Sequence, residues 1–142
     1  MNIYYFSVRN YKKTHFLKFL SSLDYLSVHC PLNEKTKDLI TIKELKIMKK
    51  NMILINTARG GIVNENDLTK ALKQKIIAGA GIDVTTSEPP KKSHPYYSML
   101  NEANFIWTPH TAWASNETLQ EAINQLVKNI NSFYKGKKRN IV

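Results

Sequence analysis

Short β-rich runs alternate with helix-forming stretches along this chain, and that alternation restricts it to one broad class of fold. Four runs stand out, Ile3 to Ser7, Tyr25 to His29, Met52 to Asn56 and Phe105 to Thr108, with a weaker fifth at Ala78 to Val84. Strands separated by helices lie parallel, because each crossover returns the chain to the same end of the sheet. The expectation is an α/β fold, a parallel sheet with covering helices. At 142 residues the chain is sized for one domain with one core.

The helical stretches carry their own start signals. Thr41 with Glu44 makes a capping box ahead of Leu45 and Met48, and Asn64 can cap a helix whose inward side is Leu68, Ala71 and Leu72. The longest element runs from about Ser115 to Tyr134, with Leu119, Ala122, Ile123, Leu126, Val127, Ile130 and Phe133 at helical spacing, and stops before Lys135 and Gly136. Its apolar stripe reads as core or interface rather than a cofactor contact. The proline-dense stretch Glu88 to Pro95 reads as a loop. Neither repeats nor low-complexity segments interrupt the pattern.

Composition narrows the function classes. The net charge of +10 would suit nucleic acid, yet only Arg9, Arg59 and Arg139 among the 21 basic residues are arginine, and the lysines scatter over helix faces. A solvated lysine surface accounts for them, so no nucleic acid is expected as a partner. No apolar stretch approaches the roughly 20 residues of a bilayer span, so no membrane is expected either. The start, Met-Asn-Ile-Tyr-Tyr-Phe-Ser, reads as no export signal, and the single Cys30 fits a reducing compartment, with the cytoplasm as default.

In an open parallel sheet the residues just past the carboxyl ends of the strands gather along one edge, where ligands bind. That edge holds His29-Cys30-Pro31 after the second run, Thr57-Ala58-Arg59-Gly60-Gly61 after the third, Asp83 and then Thr85 to Pro90 after the weak strand, and Pro109-His110 after the last. Taken singly, Arg59 is explained as a surface arginine, Glu88 as a loop carboxylate and His110 as a structural histidine. On consecutive strand ends they make a set suited to 2-oxo acids. A guanidinium grips a carboxylate through two parallel hydrogen bonds, an imidazole exchanges a proton near neutral pH, and a carboxylate beside it fixes and charges the ring. No metal ligand set is assigned.

The same segments resemble the D-isomer-specific 2-hydroxyacid dehydrogenases. The likeness is carried by Leu26-Ser27-Val28-His29-Cys30-Pro31-Leu32-Asn33-Glu34-Lys35-Thr36, by Ile53-Leu54-Ile55-Asn56-Thr57-Ala58-Arg59-Gly60-Gly61-Ile62-Val63, by Gly79-Ala80-Gly81-Ile82-Asp83-Val84 with Glu88-Pro89, and by Thr108-Pro109-His110-Thr111-Ala112-Trp113-Ala114. It runs from about Ile3 to Val142, in order and spacing. It implies catalytic roles for Arg59 as carboxylate grip, His110 as acid/base and Glu88 as its partner. Cofactor contacts are implied for His29, Cys30, Pro31, Thr57, Ala58, Arg59, Asp83 and His110, with Thr36 a weaker candidate. Trp113 is similar to the hydroxypyruvate reductase or glycerate dehydrogenase branch, where it would wall the substrate pocket beside Arg59; an aromatic stacked under the long helix is the plainer alternative.

The resemblance also has a gap. The family's G-x-G-x-x-G phosphate loop is not in the sequence, and Gly79-Ala80-Gly81 precedes no helix and cannot serve. The likeness starts at what would be the family's second strand, Ile3 to Ser7, and Leu26 to Thr36 looks like the segment after the third. The expected fold is a partial Rossmann-type parallel sheet over residues 1–142, with first strand and glycine loop absent. In the strand order 3-2-1-4-5-6 the missing strand is central, leaving two open sheet edges, and the terminal helix would return to a substrate domain outside the chain. The implied activity is NAD(P)-dependent interconversion of a 2-oxo acid, such as hydroxypyruvate or glyoxylate, and a D-2-hydroxy acid. NAD is the first expectation; Ser7 and Arg9 after the second run keep NADP open. A complementing chain or a homodimer is the expected protein partner. The alternative is a truncated, inactive remnant or a dinucleotide-responsive interaction module.

Overall fold

The computed structural model describes residues 2–10 and 12–141, with only the backbone of Asn10. Met1, with which the export-signal reading begins, and Val142, with which the resemblance ends, lie outside the described residues. The chain divides into two compact units, Met1–His110 and Thr111–Val142. The first holds helices α1 (Lys13–Ser22), α2 (Ile42–Leu45) and α3 (Glu65–Lys73) and strands β1 (Tyr25–Val28), β2 (Ile53–Asn56), β3 (Gly79–Ile82) and β4 (Phe105–Trp107). Short 3-10 turns occupy Val8–Asn10 and Pro95–Met99. The second unit is built on helix α4 (Asn116–Tyr134).

The four strands are parallel and lie in the order β1-β2-β3-β4, so every strand pairs with the next one in the chain. The Tyr25 run pairs directly with the Met52 run, Tyr25 opposite Ile53 and Val28 opposite Asn56. A crossover through α2 returns the chain beside the strand it left, and no intervening strand separates the two. One expectation is corrected here. Ile3 to Ser7, expected as a strand, forms no ladder among the described residues. Strand propensity needs a neighbouring edge to receive its N–H and C=O groups, and the neighbour implied by the resemblance is not in the sequence. The segment is held by packing instead, with the Phe6 ring 5.1 Å from that of Phe16 and 5.3 Å from that of Phe19.

The helices form where their caps say they should. Thr41 donates its hydroxyl to Glu44 Oε2 at 2.6 Å and its amide to the same oxygen at 3.1 Å, opening α2. Asn64 Oδ1 accepts from the Asp67 amide at 3.1 Å and opens α3, which buries Leu68, Ala71 and Leu72 in the core. Full burial of each such leucine contributes roughly 1.5–3 kcal/mol. The core continues through Leu20, Leu45, Met52, Leu54, Ile62, Ile77, Tyr96 and Met99, each at most 1% exposed. Gly79-Ala80-Gly81 lies inside β3, consistent with its dismissal as a phosphate loop.

In the second unit Ser115 Oγ accepts from the Thr118 amide at 3.2 Å, and α4 closes at Gly136, whose φ is 65°. None of its side chains is buried; Ile123 is 55% and Leu126 58% exposed. The stripe therefore makes no core of its own.

Candidate active site

Each strand end contributes one piece of the site. After β2, the side chain of Asn56, only 2% exposed, closes the turn that follows it: Nδ2 donates to the Arg59 carbonyl at 3.0 Å and Oδ1 accepts from the Ala58 amide at 3.1 Å. The exposed Arg59 guanidinium leans on the Ala58 carbonyl through Nη1 at 2.7 Å. Gly60 then meets the segment after β3 backbone to backbone. A Cβ there would lie 2.0 Å from the Thr85 carbonyl carbon and 2.2 Å from its oxygen, so only glycine permits the approach.

Past β3, Glu88 Oε1 accepts from the Thr85 amide at 3.0 Å while Oε2 lies 2.6 Å from Nδ1 of His110, past β4. An ionised carboxylate only accepts, so Nδ1 carries the hydrogen. The hydrogen bond from His110 holds the Glu88 carboxyl below the usual carboxylate range. The Thr85 amide and the charges of His110 and Arg59 add to this, against the opposing effect of burial. Arg59 thus acts on the pair through its field. Both side chains stay open to solvent, His110 35% and Glu88 39% exposed. His110 holds φ at 55°, a left-handed conformation uncommon for a residue with a Cβ and recurrent at functional sites.

His29, Cys30, Pro31, Leu32, Thr57, Ala58 and Arg59 line one open cleft of about 640 Å³ at this same edge. His29 Nε2 sits 2.7 Å from the Ser27 hydroxyl. Burial pushes the Cys30 thiol up, which suits a lining residue and not a nucleophile. Asp83 is buried at the end of β3 and accepts from the Thr108 hydroxyl. Thr36 does not join the cleft. It is fully buried, its hydroxyl donating to the Pro31 carbonyl at 2.6 Å and accepting from the Asn33 amide at 2.8 Å, so it shapes the loop and has no hydroxyl to offer a ligand. Trp113 belongs to the second unit and is 56% exposed. A second cavity, of about 430 Å³, opens among Lys50, Lys73, Lys75 and Glu102 at the amino ends of the strands, away from this chemistry.

Small side chains and backbone at Pro31, Thr57 and Ala58 line the cleft, an opening that fits the flat nicotinamide end of a dinucleotide. The pyrophosphate end finds no glycine-rich helix start in this sequence.

Asn56, Glu65 and His94 escaped the sequence reading. Glu65 and His94 form a nearly buried pair at 2.8 Å between the start of α3 and the far end of the Glu88 loop. A buried Asn closing an apolar run was a readable signal for the first; the other two are joined only by folding.

Comparison with known proteins matches residues 2–112 to the sequence model of the D-isomer specific 2-hydroxyacid dehydrogenase NAD binding domain. The chain is 47% identical over 126 residues to the glycerate dehydrogenase of Methylorubrum extorquens, covering 87% of this chain and 39% of that protein. It is 42% identical over 123 residues to the glyoxylate reductase of Thermococcus litoralis, covering 85% and 35%. The crystal structure of the NAD-complexed D-isomer specific 2-hydroxyacid dehydrogenase of Lactobacillus delbrueckii ssp. bulgaricus superposes with a TM-score of 0.81 at 32% identity, over 89% of this chain and 42% of that one. The chain thus spans well under half the length of these relatives.

Proposed function

Because this chain belongs to the D-isomer-specific 2-hydroxyacid dehydrogenase family, we propose that it supplies the acid/base and carboxylate-binding half of an enzyme interconverting a small 2-oxo acid and a D-2-hydroxy acid. The observation that carries this is the Glu88–His110 pair at 2.6 Å, on the strand ends next to Arg59. Arg59 grips the substrate carboxylate and orients the carbonyl. His110, held through Nδ1, delivers its proton from Nε2 to the carbonyl oxygen, or takes it back in oxidation. Glu88 keeps the ring oriented. NAD(P)H, when bound, supplies the hydride.

His29, Cys30, Pro31, Thr57, Ala58 and Asp83 would hold the nicotinamide end. The phosphates would be held by a G-x-G-x-x-G segment outside these 142 residues, brought by a longer chain or a complementing chain. Hydroxypyruvate and glyoxylate are the first substrates to try, since the relatives named above are a glycerate dehydrogenase and a glyoxylate reductase. Those names also favour the catalytic reading over the remnant or interaction module. NAD is the first cofactor to test, with NADP second because exposed Arg9 follows Ser7. A single free cysteine supports a reducing compartment such as the cytoplasm.

The test is turnover of hydroxypyruvate and glyoxylate, with NADH and NADPH, by a protein in which the glycine-loop and substrate segments accompany this chain. His110→Ala should lower kcat by roughly 10²–10⁴-fold, and Arg59→Gln should act mainly on KM. Full activity in His110→Ala, or no turnover of any 2-oxo acid, would refute the assignment.

A further inference from the structure

Glu65 is the first residue of α3, where any exposed acid would serve the helix dipole. Its environment is different. The side chain is 10% exposed and reaches residues far along the chain. Oε1 accepts from the Thr86 amide at 2.7 Å, and Oε2 accepts from the Thr86 hydroxyl at 2.8 Å and lies 2.8 Å from His94 Nε2. One carboxylate thus fastens Thr86 and His94, the two ends of a loop that carries Glu88 two residues past Thr86.

Aromatic packing fixes the far anchor. The His94 ring stacks on Trp107 with centroids 5.6 Å apart, and its Nδ1 accepts from the Tyr96 amide at 3.3 Å. Burial pushes the Tyr96 hydroxyl up, and the Glu65 charge pushes it further. The near anchor adjoins Thr85, whose amide holds Glu88 and whose carbonyl abuts Gly60. The clamp and the acid/base pair therefore share one short segment, Thr85 to Glu88.

We propose that Glu65, together with His94, is a positioning residue for the acid/base pair: by stapling both ends of the Glu88 loop it sets where the Glu88 carboxylate meets His110. This rests on reading Glu88 and His110 as that pair, and its test is independent of turnover.

The experiment replaces Glu65→Gln in the 142-residue chain and follows the Glu88 side-chain carboxyl carbon by NMR through the acid range, with a thermal melt to verify folding. His110→Ala, which removes the main contact to Glu88, serves as the benchmark. The Glu88 midpoint is expected to rise in the E65Q chain, in the same direction as in the benchmark. Loss of a nearby negative charge alone would move it down, so a rise reports lost geometry. A folded E65Q chain whose Glu88 midpoint is unchanged or lower overturns the proposal, leaving Glu65 a purely structural clamp. If E65Q does not fold, Thr86→Val, which deletes one hydroxyl bond and keeps both charges, is titrated with the same two outcomes deciding. A restored enzyme that reduces no 2-oxo acid would count against the proposed function and leave this measurement standing.

Discussion

Glu88 receives the Thr85 amide on one oxygen and faces His110 with the other, which ties its ionisation to the folded state. Its folded carboxyl lies below its unfolded value, so the ionised form contributes stability that is complete above the unfolded pKa and lost as the pH falls through the folded one. The unfolding free energy lost in Glu88→Gln should be about 1 kcal/mol or less at neutral pH, given the solvent around the pair. Urea titrations should show that loss shrinking on acidification; a loss independent of pH would contradict it. At this scale legibility followed distance along the chain. Arg59, Glu88 and His110 could be singled out because each follows a recognisable strand. Thr36 differs from these, since its hydroxyl donates to the carbonyl of Pro31, a pairing that no spacing rule reveals. Glu65 and His94 stayed hidden because their partners come from the other side of β3.

The ends of α3 and α4 close in the same way with different residues. At α4 the Gly136 amide donates to Phe133 and the Lys137 amide to Ser132; at α3 the Lys75 amide donates to Leu72 and the Ile76 amide to Ala71. Both closures need a left-handed residue, which is Gly136 with φ 65° in one and Lys75 with φ 54° in the other. Lys75→Gly should therefore stabilise the chain by about 0.5–1 kcal/mol, relief of the left-handed backbone outweighing the greater freedom of glycine in the unfolded state. A thermal melt that falls instead would show that the lysine stem packs usefully. The Gly136 stop was readable and the Lys75 stop was not. Starts behaved alike: α2, α3 and α4 announced themselves through Thr41, Asn64 and Ser115, whereas α1 begins after Lys12 with no side-chain cap and is held by Phe16 and Leu20. Ile3 to Ser7 has strand composition without a strand to pair with, and composition alone could not supply one.

Across the whole molecule, order is distributed unevenly. The first unit owns the core, while α4, 19 residues long, buries no side chain. Most helical stability in proteins comes from packing of an apolar face, so the α4 amides should exchange with deuterium faster than those of β2 and α3. Equal protection, measured by exchange NMR, would mean that the stripe is covered in solution. The parallel α/β class was legible from periodicity because each βα unit writes its own pattern. Strand order was not, since it depends on which edges are available rather than on any local signal. That order has a kinetic meaning. Tyr25 faces Ile53, Ile53 faces Gly79 and Ala80 faces Phe105, so each pairing closes a loop of roughly 25–28 residues onto the strand made just before it. No step needs a long-range search, and the entropic toll of successive closures is nearly constant. The sheet can therefore grow like a zipper in the direction of synthesis. Arg59, Glu88 and His110 would reach their places in the order in which they leave the ribosome, with His110 arriving to find its carboxylate already waiting.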